Sequence, residues 1–134
     1  MRKKFPKDKQ HIRLYYKTME SAAYKALSFA AVWLLLELRK QWAGGDENKI
    51  KLSYSKIKKI KKMHSRIISR AFIEIEAFGF IDIVHHGGLF KGSSIYALSS
   101  RWEEISEDPQ KLKHAKIILK NKFKRIKRKT SLKK

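Results

Sequence analysis

The chain has 134 residues, 43% of them hydrophobic, so it can bury the core of one domain and is not a disordered polymer. Its 33 Lys and Arg against 12 Asp and Glu give a formal net charge of +21, and a field of that sign and size attracts polyanions. It has no cysteine, which excludes disulfides and thiolate metal sites, and no apolar run of the about 18 residues that a membrane-spanning helix needs.

The first third of the chain is predicted to be mostly helical. Residues 1–10 form a basic arm without apolar periodicity, which we expect to be flexible, and no apolar segment follows that would make a secretory signal. Residues 11–16 are predicted to be a short extended or irregular segment. A serine stands in the N-cap position before each of two predicted helices, Ala22–Leu27 and Phe29–Trp42. The second is apolar on nearly all sides in its first half, which indicates the central core helix.

Residues 52–81 carry the most informative pattern, two helices joined by a tight turn. A glycine-containing loop and a very short predicted strand at Lys49–Leu52 precede them, and Ser53 is an N-cap for the first helix. The second helix is predicted over about residues 65–78, and Gly79 stands where a left-handed residue ends a helix. Spacing by three or four residues predicts an apolar face of Ile68, Ala71, Phe72, Ile75 and Phe78, and leaves Arg66, Ser69, Arg70, Ile73 and Glu74 on the other side.

A β-hairpin is predicted after the second helix. Residues 80–86 (FIDIVHH) and 94–99 (SIYALS) are typical of strands, and the loop between them is rich in glycine. Residues 101–105 are expected to add a turn that packs Trp102. The order helix, helix, strand, helix, helix, hairpin predicts an α+β fold, mainly α, over residues 11–108. We interpret it as a winged helix-turn-helix with a C-terminal β-hairpin wing.

The last segment, residues 109–134, is strongly basic. After Pro109 it has twelve Lys or Arg and no acid. Three alternatives are open: a disordered polycationic tail, a basic amphipathic helix that docks on the domain or on a second subunit, and a basic helix on an acidic membrane surface. We expect no membrane partner. The helix is favoured by apolar residues that recur three or four positions apart: Leu112, Ala115, Leu119, Phe123 and Ile126.

The segment Ser65–Ile81, SRIISRAFIEIEAFGFI, resembles the recognition helix and following strand of bacterial winged-helix DNA-binding proteins. Together with SAAYKALS, LLLELRKQWAGG, KIKLSYSKIKK and SSIYALS, it makes residues 16–99 similar to small phage- or plasmid-type members of that group. The resemblance implies DNA binding in replication initiation or in transcription control.

The resemblance also implies roles for individual positions of the two helices. Ile57 would be a core residue of the first helix, Met63 would anchor the turn, and Ile68 and Ala71 would join the two helices. His64 stands where the group usually has a Ser or Thr cap. The chain departs from the pattern at three positions. Lys58 stands where a small residue is usual, Lys61 where an apolar residue is usual, and Lys62 where the turn glycine is usual.

Four residues of the second helix are predicted to face DNA bases: Ser65, Arg66, Ser69 and Arg70. The two arginines are four residues apart and therefore share a helix face. Arginine can donate two parallel hydrogen bonds to guanine, which discriminates bases by about 1–3 kcal/mol. Phosphate or solvent contact is the alternative for the arginines, and a helix-cap role is the alternative for Ser65.

Phosphate contacts are predicted for the basic residues of the first helix and the turn, because this helix crosses the DNA backbone in helix-turn-helix proteins. In the wing, His86 and Lys91 are predicted to touch the backbone or the minor groove, with an ordinary exposed hairpin as the alternative. We predict no metal site, because His85 and His86 are adjacent on a strand and point to opposite faces. The phosphate ligands are predicted to be Lys56, Lys58, Lys59, Lys61, Lys62 and His64.

The sequence lacks the motifs of an enzyme: it has no phosphate-binding glycine loop, no nucleophile motif and no usefully paired carboxylates, so we predict no catalysis and no cofactor. We predict a double-stranded DNA-binding protein of the cytoplasm, associated with the nucleoid. It would be a transcription regulator or a replication-associated factor of a mobile element, and a homodimer is an open alternative. The rival hypotheses are an RNA-binding protein, and a protein-interaction winged helix in a replication or transcription complex.

Overall fold

The computed structural model of the protein describes residues 11–42, 49–87 and 94–132, with side chains of the last stretch up to Arg125. The described chain is mainly helical with one two-stranded antiparallel hairpin, which confirms the prediction of a mainly α, α+β fold. The elements in chain order are α1 (Tyr16–Glu20), α2 (Ala22–Lys25), α3 (Phe29–Trp42), α4 (Tyr54–Ile60), α5 (Ser65–Ala77), β1 (Ile81–His85), β2 (Ile95–Leu98), α6 (Arg101–Glu107) and α7 (Pro109–Leu132).

Two short helices were not predicted. The five-residue helix α1 follows the irregular segment 11–15; the buried Thr18 anchors it, and its carbonyl accepts a hydrogen bond of 2.6 Å from the Ser21 hydroxyl. The predicted turn after the hairpin is the seven-residue helix α6, because Ile105 enters the core and the Trp102 ring stacks on Phe80. Both helices are too short to be stable alone, so tertiary packing holds them.

The short strand predicted at residues 49–52 is a single β-bridge. Ile50 and Tyr96 exchange two backbone hydrogen bonds of 2.8 Å, so β2 lies between Ile50 and β1. In the hairpin, Ile81 pairs with Leu98 and the register shifts after Ile83. The bridge ties the chain that leads into α4 to the hairpin.

The core lies between α3 and α5, as the apolar spacing of both helices predicted. Helix α3 contributes Leu34, Leu35 and Leu38 to the core, and α5 contributes Ile68 and Ile75. All five side chains are essentially without solvent exposure. Burial of such side chains stabilises the fold by about 1.5–3 kcal/mol each relative to exposure. The apolar face of α5 is therefore fixed against α3, and its other face points away from the core.

The connection between α4 and α5 is an extended segment, so the prediction of a tight turn between the two helices is wrong. Ser53 caps α4 by accepting a hydrogen bond of 3.2 Å from the Lys56 amide, as predicted. Lys61 ends α4 with extended φ and ψ of −147° and 133°, and Met63 packs on the core as the turn anchor. Ile57 of α4 is fully buried, which agrees with the core position that the sequence indicated.

The end of α5 depends on Gly79, which has φ +82° as the sequence predicted. A Cβ at this position would lie 2.6 Å from the Trp102 amide nitrogen and 2.8 Å from the Arg101 carbonyl carbon. The Trp102 amide donates a hydrogen bond of 3.1 Å to the Gly79 carbonyl. Glycine therefore provides both the left-handed backbone and the room for α6 to approach.

The basic segment after Pro109 is the helix α7, the second of the three alternatives for this stretch. Pro109 is its first residue, and Asp108 accepts a hydrogen bond of 2.9 Å from the Gln110 amide. Ala115 is only 4% exposed, and Leu112 and Leu119 pack on the same core. None of the helices that the structure describes is long and apolar enough to cross a membrane.

Candidate nucleic-acid interface

The two arginines that were predicted to face DNA are exposed on the outer side of α5. The Arg70 guanidinium lies 5.1 Å from the centroid of the Phe123 ring of α7, which is a cation–π contact. The Arg66 guanidinium has no side-chain partner within the described part of the chain. Arg66 is therefore available to an external ligand, whereas the Arg70 guanidinium already contacts a side chain of α7.

The start of α5 is capped by His64 and not by Ser65. The His64 Nδ1 atom accepts a hydrogen bond of 3.1 Å from the Arg66 amide. The helix-cap alternative for Ser65 is therefore wrong, and its hydroxyl instead accepts a hydrogen bond of 2.6 Å from the Lys58 Nζ atom. Ser69 lies one turn further along and is partly buried in a cleft. Only part of this predicted base-contacting set is thus freely exposed.

Two of the predicted phosphate ligands contact α3. The Lys56 Nζ atom donates a hydrogen bond of 3.0 Å to Gln41 Oε1. The Lys61 Nζ atom lies 5.7 Å from the centroid of the Trp33 ring. Both ammonium groups are therefore drawn towards α3, although both lysines remain exposed to solvent.

The three other lysines predicted to contact phosphate lie on α4 and on the segment that joins it to α5. Lys58 reaches Ser65, and Lys59 and Lys62 are exposed without a side-chain partner among the residues that the structure describes. Exposed cationic side chains on a helix and on the segment that leads into the next helix, which carries an outward arginine, are suited to phosphate contacts. We define Lys58, Lys59, Lys62 and Arg66 as the cationic corner of the molecule.

Acidic groups do little to neutralise this surface. Between residues 54 and 77 the chain has seven Lys or Arg and only two acids, Glu74 and Glu76. Glu76 Oε1 accepts from the Lys122 Nζ atom at 3.1 Å. On the neighbouring strand, Asp82 is paired with Arg101 at 2.6 Å. The carboxylates of Glu76 and Asp82 are thus occupied by other partners.

Glu74 has a structural role that the sequence prediction missed. The prediction placed it on the outer side of α5, but it is only 8% exposed. Its carboxylate accepts hydrogen bonds from the Ser28 amide at 3.0 Å and from the Ser28 hydroxyl at 2.7 Å. The same hydroxyl accepts from the Ala31 amide at 3.3 Å, so a carboxylate of α5 completes the N-terminal cap of α3. This contact fixes the rotation of α5 on the core.

A cleft of about 520 Å³ separates α5 from the hairpin. A stack of three rings underlies it, because Phe72 stacks on Tyr54 at 5.8 Å and on Tyr96 at 4.6 Å between centroids. Burial raises the pKa of Tyr96, partly offset by its hydrogen bond with Ser94, so this phenol is neutral at physiological pH. His86 lies on the rim, exposed at the end of the hairpin.

The predicted DNA contacts of the wing rest on two residues, His86 and Lys91. Lys91 lies outside the described residues, so its role stays a prediction. Within the described ranges no three His, Cys, Asp or Glu side chains are grouped so that they could hold a metal ion. The hairpin thus contributes His86, one imidazole, to the rim beside α5.

Helix α7 docks on the outer side of α5. It begins beside α6, at the C-terminal end of α5, and runs back towards Arg70, where Phe123 lies under the guanidinium. The outer face of α5 is only partly exposed at Ile73 and Ala77, whereas Arg66, about two turns before Ile73, is open. The sequence predicted the apolar stripe of α7 but not its position, because periodicity does not specify the partner.

Comparison of the chain with protein-family models, with curated proteins and with solved structures finds no match.

Proposed function

We propose that this chain is a double-stranded DNA-binding protein of the winged helix-turn-helix type. In this proposal α4 and α5 are the helix-turn-helix, α5 is the recognition helix, and the hairpin is the wing. The observation that carries it is the cationic corner: Arg66 is exposed at the start of α5, Lys58 contacts the same helix start at Ser65, and Lys59 and Lys62 are exposed on α4 and on the segment that joins the two helices. Ile57 of α4 and Ile68 of α5 are buried in the core, so the backbones of the two helices that carry the corner are fixed.

The mechanism follows from this geometry. The N-terminal part of α5 enters the major groove, where helix-turn-helix proteins place the start of their recognition helix. Arg66 donates to a guanine edge, and Lys58, Lys59 and Lys62 contact phosphates on the groove wall. On α7, the exposed Lys120, Lys124 and Arg125 supply further sequence-independent attraction. A regulator or replication factor of a mobile element, working at the nucleoid, fits such binding.

The proposal is tested by selecting bound fragments from a random pool of duplex DNA with the full chain, and by then measuring the affinity for the selected duplex against salt. We expect an enriched sequence motif. We also expect the affinity to fall by a factor of about 10³ or more between 50 and 200 mM salt, since six to ten phosphate contacts have that effect. Matched duplex RNA serves as the competitor.

Three results contradict the proposal. The first is an affinity that does not change with salt. The second is the absence of duplex DNA binding at 50 mM salt, a concentration at which the attraction between a polycation and DNA is strong. The third is a preference for duplex RNA over the selected DNA, which would move the function to RNA binding while leaving the cationic corner as the contact surface.

A further inference from the structure

The outer face of α5 is already an interaction surface within this chain, because the end of α7 occupies part of it. We call this end the α7 tip and define it as residues 120–132; two side-chain contacts with α5 fall in its described part, which ends at Arg125. The Lys122 Nζ atom lies 3.1 Å from Glu76 Oε1, and the Phe123 ring lies 5.1 Å from the Arg70 guanidinium. Residues before the tip are anchored in the core by Ala115.

A docked α7 tip and a DNA duplex compete for the same space. The major groove is about 12 Å wide and admits one α-helix, whose diameter with side chains is about 10–12 Å. Two packed helices have axes about 8–10 Å apart, so together they exceed the groove width. Moreover, the α7 tip contacts Glu76 and Arg70 on the outer side of α5, the side that would face the floor of the groove.

The α7 tip is held weakly enough to leave. The polar side-chain contacts that the structure describes between the tip and α5 are a partly exposed ion pair and a cation–π pair, and exposed pairs of both kinds are weak. The tip is also basic: Lys120, Lys124 and Arg125 are exposed, and docking brings the tip beside Arg70 of like charge. A polyanion therefore attracts the tip away from α5 and at the same time occupies the surface that it uncovers.

We infer that the α7 tip and duplex DNA are mutually exclusive occupants of the outer face of α5, so that the tip lowers the DNA affinity of the closed protein. This inference rests on the proposed function. The apparent affinity is the affinity of the open form multiplied by the fraction of molecules in which the tip is released. Once released, the tip binds flanking phosphates, and the buried half of α7 stays on the core.

The test locks the tip in place. The chain has no cysteine, so a Glu76→Cys/Lys122→Cys double variant can be joined at a single pair of thiols by a bis-maleimide with a cleavable disulfide in its linker. The matched control is the Glu104→Cys/Lys111→Cys double variant, which replaces the ion pair between α6 and the base of α7 and removes the same charges. The selected duplex is titrated before and after cleavage of the linker.

We expect the locked protein to bind the duplex about tenfold or more weakly than the same protein after cleavage, because locking removes the released fraction. The control pair should bind equally in both states. Equal binding of the locked and cleaved tip variant overturns the inference and leaves the proposed function standing. Failure of the unmodified chain to bind any duplex overturns both.

A second measurement does not depend on the crosslink. Phe123→Ala removes the ring under Arg70 and should tighten DNA binding about tenfold by increasing the released fraction. The control is Ile117→Ala, which shortens an exposed side chain of α7 outside this contact and should not change the affinity. Unchanged or weaker binding of the Phe123 variant overturns the inference, since a merely structural role of the ring predicts that result.

Discussion

Removal of the Glu74 carboxylate should destabilise the protein substantially. The spacing of apolar residues along α5 puts Glu74 on the polar side of the helix, where a substitution would be expected to have little effect on stability. The carboxylate joins α5 to the start of α3 through two hydrogen bonds from Ser28, at 3.0 Å and 2.7 Å. It also places a negative charge at the N-terminus of α3, where the helix dipole favours it. Glu74→Ala removes all three effects, and Glu74→Gln removes the charge but keeps one acceptor.

The expected loss follows from these contacts. Hydrogen bonds to a charged group contribute about 1.5–3 kcal/mol each. Ser28 is exposed, so in the variant water can accept hydrogen bonds from its amide and hydroxyl in place of the carboxylate. We therefore take the lower end of this range for each of the two hydrogen bonds. Glu74→Ala should therefore lower the free energy of unfolding by about 3 kcal/mol, and Glu74→Gln by about 1 kcal/mol. With a urea m-value of about 2 kcal/mol/M, the alanine variant unfolds at a midpoint about 1.5 M lower.

Urea denaturation followed by circular dichroism measures this loss. Glu107→Ala is the matched control, because it removes an exposed carboxylate at the end of α6 and should change stability by no more than about 0.5 kcal/mol. Ser28→Ala completes a double-mutant cycle, in which we expect a coupling of about 1–2 kcal/mol with Glu74→Ala. Strict additivity in the cycle, or a loss of less than about 1 kcal/mol for Glu74→Ala, would refute the reasoning.

Three further predictions concern the turn and the cationic corner. Gly79→Ala should destabilise the fold by at least about 2 kcal/mol in the same urea assay, because the left-handed backbone and the contact with Trp102 both oppose a Cβ; a neutral substitution would contradict the φ of +82°. Arg66→Ala should weaken binding to a selected duplex by about 1–3 kcal/mol and hardly change binding to random duplex, as measured by fluorescence anisotropy; an equal loss on both would show that Arg66 contacts phosphate. Lys59→Ala/Lys62→Ala should weaken binding to all duplexes alike and reduce the slope of log affinity against log salt by about 2, and an unchanged slope would remove both lysines from the interface.

The tertiary structure confirms what short-range patterns in the sequence predicted. The apolar spacing from Ile68 to Phe78 gave the buried face of α5, and Ser53 and Gly79 gave the start of α4 and the end of α5. Such signals are readable because helix periodicity, capping and left-handed backbone depend on residues within about one turn of each other. The hairpin was predicted for the same reason.

Contacts between distant parts of the chain decided the rest. Glu74 was placed outward because the local pattern could not show that Ser28, 46 residues earlier, meets its carboxylate. The apolar stripe on α7 predicted a helix. That Phe123 contacts Arg70 and Lys122 pairs with Glu76 could be seen only in the tertiary structure. Side-chain pairing across such separations depends on where the core places each helix. The sequence by itself therefore determined the longer helices and the cations that they carry. The tertiary structure determined the short helices α1 and α6, and it determined that Arg66 is open while α7 covers part of the face beyond it.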